Sequence, residues 1–452
     1  MSRKLTTIAA SLLTATLLAS GCSTGDGDGG DGVIDYWLWD SAQQPGYQRC
    51  ADRFQEENPE LKVRITQYGW DDYWSKLTAG FIADQGPDVF TNHLGKYAQF
   101  VDLNVLVPLN DLEATSDLDA DEFADGLAAI WQGQDGLQYG APKDWDTIAY
   151  FYNTDLTDEA GITAEQLADM EWNPDDGGTF EQIIAHLTVD QNGVRGDEPG
   201  FDKDNVALYG LASEGGGGGN FGQTQWGAYV YSMPDWTLLD QNPWGTHFNM
   251  DDPGFQKTIE WYFGLAEKGY MPSMSDVSTN SGEYQQVAAG NAVLGMNGSW
   301  MTSLHASLPD FNLGIAPTPV GPSGHRASPF NGLADSVSRF SDDPESAAKW
   351  VAFMASDECQ SLIGEAGVVF PARQSGMDAA LAAKEEAGID VSAFTVHLEE
   401  GTTVMQPVTS NGADITALTE PAFDAIYIGS SPASSLTDLN EQVNRLLELT
   451  TD

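Results

Sequence analysis

An α/β protein with a largely parallel sheet is predicted by three observations: strands and helices alternate from residue 33 to residue 90, the alternation returns further along, and turn residues separate the segments. Residues 33–39 form an apolar-aromatic strand. From Pro45 onward, Tyr47, Cys50, Ala51 and Phe54 fall at i, i+3, i+4 and i+7, one face of a helix. Asn58-Pro59 stops that helix. Leu61, Val63 and Ile65 alternate with Lys62 and Arg64, a second strand. Asp71 or Asp72 is expected to cap a helix carrying Trp74, Leu77 and Phe81. Gly86-Pro87-Asp88 turns the chain into a third strand at Val89-Phe90.

Further strands are expected at 147–152, 292–296, 312–316 and 333–338, with Asn297-Gly298 read as a turn. Helices are expected at 179–187, 255–268, 343–355, 358–365, 414–427 and 435–449. Residues 190–205 and 213–222 are polar or glycine-rich loops, and no internal repeat is present.

The start of the chain indicates where it works. Arg3 and Lys4 precede an apolar run over 5–18, the length of a signal-peptide core and too short to span a bilayer. Ala19, Ser20 and Gly21 then lead into Cys22, a junction that resembles a bacterial lipobox, with Ala19 where Leu is usual. This implies a signal peptide over 1–21, lipidation at Cys22 and a Gly/Asp tether over 22–32. The expected location is the outer face of a bacterial cell membrane, held by lipid alone; a plain secreted protein is the alternative.

The 452 residues are enough for two domains. The net charge of −49, from 68 acidic and 19 basic side chains, repels phosphate backbones and disfavours nucleic acid as a partner. With Cys22 lipidated, Cys50 and Cys359 remain as an even pair in an oxidising compartment. One disulfide between them is expected, against the alternative of two buried thiols.

Motifs for chemistry are missing. There is no phosphate-binding Gly-x-x-x-x-Gly-Lys-Ser/Thr, no strand-linked Gly-x-Gly-x-x-Gly and no Gly-x-Ser-x-Gly. The six histidines have no metal-ligand spacing, and the calcium-like run from Asp190 carries Arg195 where Gly is needed. No cofactor, metal or catalytic centre is therefore expected. With 68 acids some carboxylate pair always fits a glycosidase, so that pattern carries no weight. Aromatic residues do recur beside turns, interleaved with Asp, Asn and Gln: Trp37-Leu-Trp39-Asp40, Tyr68-Gly-Trp70-Asp71, Lys143-Asp144-Trp145-Asp146, Gln225-Trp226 and Asn297-Gly-Ser-Trp300. Sugars use this mixture, because their C–H faces pack on rings while amides and carboxylates fix the hydroxyls.

In Phe54-Gln-Glu-Glu-Asn-Pro59, Gly86-Pro-Asp-Val-Phe90, Tyr150-Phe-Tyr-Asn153, Leu294-Gly-Met-Asn-Gly-Ser-Trp300 and Gly367-Val-Val-Phe-Pro371, the chain resembles the extracellular solute-binding proteins of carbohydrate ABC transporters, the group of maltodextrin-binding protein. The resemblance spans nearly the whole mature body. It implies a two-lobed periplasmic-binding-protein-like fold of type II, with a hinge and three crossovers. The N-lobe would take 33–147 and 317–370, and the C-lobe 148–316 and 371–452. It implies a carbohydrate guest in the interlobe cleft, permease subunits as partners, a monomer and no bond-breaking. The implied sugar contacts are Trp39, Asp40, Ser41, Asn92, His93, Asp144, Asp146, Trp226, Trp300, Asn411 and Arg373. The glycine-rich loop 213–222 departs from the family pattern. Rival readings are a lipid-anchored glycoside hydrolase and a binding protein for a polyamine-type cation.

Overall fold

The computed structural model describes residues 32–277 and 282–449. The signal peptide, Cys22 and nearly all of the tether lie outside the described residues. Numbered in chain order, the strands are β1 Val33–Leu38, β2 Lys62–Gln67, β3 Val89–His93, β4 Ala141–Asp146, β5 Ile148–Asn153, β6 Val189–Asp190, β7 Val206–Leu211, β8 Ala292–Gly298, β9 Leu313–Pro317, β10 Ser328–Val337, β11 Phe370–Pro371 and β12 Thr403–Met405. They form two sheets flanked by helices. The first has the order β11-β4-β10-β3-β1-β2, with β12 beside β10; the second has the order β6-β7-β8-β5-β9.

The opening strand–helix alternation stands as read. β1 pairs in parallel with β2 and β3, with Ile34 opposite Val63 and Tyr36 opposite Val89. The first sheet is mixed, however, not largely parallel. β10 runs antiparallel to β3 and β4, and β11 antiparallel to β4, because β10 enters this sheet after the chain has visited the other one. The helix Trp70–Ile82 begins at Gly69 with no side-chain cap; Asp71 and Asp72 sit in its first turn, where the helix dipole favours them. Asn297 and Gly298 are the last residues of β8, and the bend comes at Ser299.

The two sheets have separate cores. One gathers Tyr36, Tyr47, Trp131, Val337 and Trp350; the other gathers Tyr150, Phe180, Tyr229, Phe255 and Phe423. The chain passes between sheets at Thr147, between β4 and β5, and again over 318–327, between β9 and β10. Of the segment 371–452, expected in the second lobe, Ala372, Ala380, Phe394 and Val408 join the first core and Ile415 onward joins the second. The helix Gln374–Glu386 is held there by close backbone approach to Asp357–Ala366: a Cβ on Gly364 would lie 2.1 Å from the Gly376 carbonyl oxygen.

Cys50 and Cys359 form a disulfide across 309 residues, both fully buried in the first core. It joins the helix Gln44–Glu57 to the helix Asp357–Ala366, and the ion pairs Arg49–Glu365 and Arg53–Glu358 flank it. Exposed pairs contribute little, so the covalent link dominates this junction. Replacing both cysteines with serine is expected to lower stability by about 2–5 kcal/mol, read from the denaturant midpoint of the full chain. An unchanged midpoint would show that the link adds nothing to the native state.

Candidate functional site

A cleft of about 620 Å³ separates the helices Trp70–Ile82 and Leu94–Asp102 from the loop 214–225 and the helix Gly412–Tyr427. One wall is aromatic. Trp39 closes the first strand and packs against Trp70 and Trp74, with ring centroids 5.1 and 5.2 Å away. Trp70 lies 5.5 Å from His93 and is 44 % exposed, so its indole has a free face. Trp74 also lines the cleft, and its indole N–H is buried without a partner. His93 ends β3 and caps the helix Leu94–Asp102, its Nδ1 accepting the Gly95 N–H at 3.0 Å. Burial, with Lys96 adding, pushes its pKa down to about 3. The neutral ring therefore carries its proton on Nε2, which is left to donate.

The facing wall is bare backbone. Gly215 to Gly219 line the cleft and lie flat against the helix Gly412–Tyr427. A Cβ on Gly218 would come within 2.3 Å of the Thr419 carbonyl oxygen, and one on Gly216 within 2.7 Å of the Asp424 nitrogen. Only glycine permits this approach. The wall also carries Glu214, Asn220 and Gln225. Gln225 is 4 % exposed, and its Oε1 has no partner, nor has Asn220 Oδ1. Buried polar atoms are nearly always paired, so three orphans on one cleft mark where a polar guest completes them. Burial, together with the charge on Glu283, pushes the Glu214 carboxyl up to about 7.

At one end of the cleft the walls touch. Asp102 accepts from the Asn411 backbone N–H and the Ser410 side chain. Gln134 Nε2 donates to Ser410 Oγ at 3.3 Å. The Trp244 indole N–H donates to the Gln132 carbonyl at 2.9 Å, and its ring lies 5.9 Å from Tyr97.

Among the site residues expected from sequence, His93 alone lines this cleft. Trp39 stands directly behind it, supporting Trp70 and Trp74. The Asp40 carboxylate is occupied by the Ala42 N–H at 2.7 Å and Gln43 Nε2 at 2.9 Å, while Ser41 is exposed. Asn92 is buried within the sheet and donates to Ser336 Oγ at 3.1 Å. Asp144 and Asp146 are fully enclosed beside the Thr147 crossing. Both are pushed up by burial, Asp144 to about 7. Asp146 accepts from Ser299 Oγ, and the Leu333 backbone N–H approaches the Asp144 carboxylate.

Trp226 is fully buried. It stacks on Phe423 at 4.8 Å and donates to the Gly216 carbonyl at 3.0 Å, so it supports the glycine strip from behind. Trp300 packs against both cores. The Asn411 side chain turns away to the Leu446 carbonyl at 2.8 Å, although its neighbours Thr409 and Gly412 line the cleft. Arg373 lies elsewhere, paired with Glu122 and over the Phe123 ring at 5.0 Å.

Residues 49–387 match the family model of the bacterial extracellular solute-binding proteins. The chain belongs to this family. This solute-binding protein is similar to the arabinooligosaccharide-binding protein of Bacillus subtilis, at 24% identity over 175 residues and 38% of each chain, so the match spans well under half of that relative's length. In fold it is similar to an ABC substrate-binding protein of Listeria monocytogenes solved with cycloalternan, with a TM-score of 0.75, 19% identity, and coverage of 93% of this chain and 100% of the other. It is likewise similar to the GacH receptor of Streptomyces glaucescens, solved unliganded and with acarbose, with a TM-score of 0.73, 20% identity, and coverage of 92% and 98%. These likenesses carry the two-lobed α/β fold over.

The sugar contacts expected from sequence did not include Trp70, Glu214, Asn220 or Gln225, although Trp70 and Gln225 stand in the aromatic–polar runs Tyr68-Gly-Trp70-Asp71 and Gln225-Trp226. A signal for Glu214 was available, because it follows a strand and directly precedes five glycines. Its raised pKa means that the folded solute-binding protein holds a proton the unfolded chain releases. Stability therefore falls as pH rises from about 4.5 to about 7 and levels off above. The melting temperature of Glu214→Gln relative to the parent is expected to increase from pH 5 to pH 8. Parallel curves for the two proteins would remove Glu214 from this role.

Proposed function

We propose that the solute-binding protein captures a mono- or oligosaccharide in the cleft without breaking a bond. Closure of the lobes then presents the guest to the permease subunits of an ABC transporter. The observation that carries this reading is the pairing of walls. Trp70 and Trp74 offer indole faces for sugar C–H surfaces, with the Trp74 N–H orphaned, opposite a strip of bare glycine backbone beside the orphaned acceptors Asn220 Oδ1 and Gln225 Oε1. The match to an arabinooligosaccharide-binding protein supports a carbohydrate guest, as does 26% identity over 230 residues to a maltodextrin-binding protein of Bacillus subtilis. Micromolar binding needs about −8 kcal/mol, within reach of a few stacks and hydrogen bonds.

In this proposal the chain is a monomer, anchored by lipid at Cys22 on the outer face of the cell membrane. The two lobes turn about crossings at Thr147, 318–327 and 408–415. The lipid only tethers, and separate subunits supply the work of transport. The guest drives closure by binding the closed form better than the open one.

A thermal-shift screen of the full chain against mono- and oligosaccharides tests the reading. At a ligand concentration of 100 Kd, binding stabilises the folded state by about 2.7 kcal/mol. A saturable shift with the sugar recovered intact supports binding, and release of new reducing ends would make the protein a hydrolase. Trp70→Ala and Trp74→Ala are each expected to weaken the sugar found by about 1–3 kcal/mol, measured by calorimetry. Trp70 is the cleaner probe, because its exposed ring contributes less to the core. Undiminished affinity in both variants would remove the indole wall from the site.

A further inference from the structure

The charges and hydrogen bonds on the glycine-rich wall do not balance. Glu214 Oε1 accepts the Glu283 backbone N–H at 3.0 Å and Asn297 Nδ2 at 3.4 Å, and its Oε2 accepts Thr224 Oγ1 at 2.8 Å. Every one of these donors is neutral. Asn297 Nδ2 is shared with Glu283 Oε2 at 3.0 Å, so two enclosed carboxylates hang on one amide. His305 lies 3.2 Å from Glu283 Oε1 and does not line the cleft. Lys96 is the one lysine or arginine among the described cleft-lining residues; it stands on the aromatic side and faces Glu420, on the glycine-rich side, as its countercharge. Asp424 is occupied by the Gly216 N–H at 3.1 Å. Gln225 Oε1 and Asn220 Oδ1, both acceptors, wait without donors on the same loop as Glu214.

The wall thus presents one desolvated carboxylate and two unpaired carbonyl oxygens, and among the described residues no lysine, arginine or histidine pairs with Glu214. A sugar hydroxyl brings one O–H donor and no charge, whereas a primary ammonium brings three N–H donors and a positive charge. We infer that the guest is an amino sugar, a mono- or oligosaccharide whose primary ammonium seats against Glu214, Asn220 and Gln225. The inference rests on the carbohydrate reading above and narrows its substrate class. The aromatic wall suits the same guest, since Trp70 and Trp74 attract a cation to their faces as well as packing on the ring.

The test is calorimetry on the full chain at neutral pH with matched sugars. Glucosamine, galactosamine, mannosamine and the di- and trisaccharides of chitosan are compared with glucose, galactose, mannose, cellobiose, cellotriose and the N-acetylated forms. At least one amine is expected to bind about tenfold or more tighter than both its hydroxyl and its N-acetyl counterparts. The preference should shrink toward one in Glu214→Gln, and also in Asn220→Ala, which leaves the carboxylate pair untouched. Neutral sugars that bind as tightly as their amines would overturn this inference and leave the proposed function standing. A preference that survives both substitutions would overturn the assignment to this wall. Binding of spermidine with no sugar bound, or no binding by any sugar, would sink both.

Discussion

Everything in this molecule turns on the point where two consecutive strands part company. β4 ends at Asp146 in the first sheet and β5 begins at Ile148 in the second, with Thr147 alone between them. That crossing is tied to the others. The Ser299 N–H donates to the Thr147 carbonyl at 3.1 Å, the Ile148 N–H donates to Ser328 Oγ at 2.8 Å, and Thr147 Oγ1 donates to the Phe394 carbonyl at 2.8 Å. Asp146 takes the Ser299 hydroxyl at the same place. Each bond is worth only about 1 kcal/mol net. Their grouping is what matters, since it gathers the Thr147 crossing and the segments beside it into one bonded cluster between two independently packed cores. Hinges of this kind are a few residues that absorb a backbone change while rigid bodies move around them.

The walls of the cleft lie away from that cluster and are built on opposite principles. The aromatic wall is rigid because its rings support one another: Trp39 is buttressed by Tyr73 at 5.1 Å, and Trp74 stacks near Phe100 at 6.2 Å. The second wall is thin because it has no side chains, and it is held by polar contacts to the helix beneath it. Thr419 Oγ1 donates to the Gly218 carbonyl at 2.7 Å, and Trp226 grips Gly216. A guest would meet a fixed apolar surface on one side and exposed peptide groups with orphaned amides on the other. Both are preorganised, so little ordering cost falls on binding.

Much of this architecture is legible in the sequence where burial follows a simple period. β1, β2 and the helix Gln44–Glu57 show it, and so does the helix Leu436–Glu448, with Leu439, Val443 and Leu447 on one face. β4 was illegible because its sequence, Ala-Pro-Lys-Asp-Trp-Asp, is buried at every position despite three charges, held by the Lys143 contacts to Thr91 at 2.7 Å and Asp335 at 3.4 Å. The helix Gln374–Glu386 docks through glycine contacts rather than an apolar stripe, and so had no pattern to read. At the site, a Trp beside a Gln looked like a binding ring. Trp226 instead precedes a short helix whose first four residues are all buried, which draws the indole into the core. That Trp70 and Glu214 share one cleft is set only when the second sheet brings distant loops together, and no local period encodes that.

The acid excess gives the last step. With 68 acids against 19 lysines and arginines, the basic side chains are scarce, and several are committed to structure. Arg49 and Arg53 bridge the disulfide-linked helices, Arg64 pairs with Asp35, Lys143 is buried with Asp335, and Arg373 is locked to Glu122. Spread over the surface, the surplus repels itself and favours an open chain over a compact one, an effect that salt screens. Two large apolar cores and one covalent staple resist it. Inside the cleft the same surplus cannot be screened as readily, because water and ions are partly excluded there. A neutral guest is indifferent to that field, an anion is turned away, and a cation is drawn in. The surface charge and the enclosed Glu214–Glu283 pair therefore act in the same direction on what reaches the indole wall.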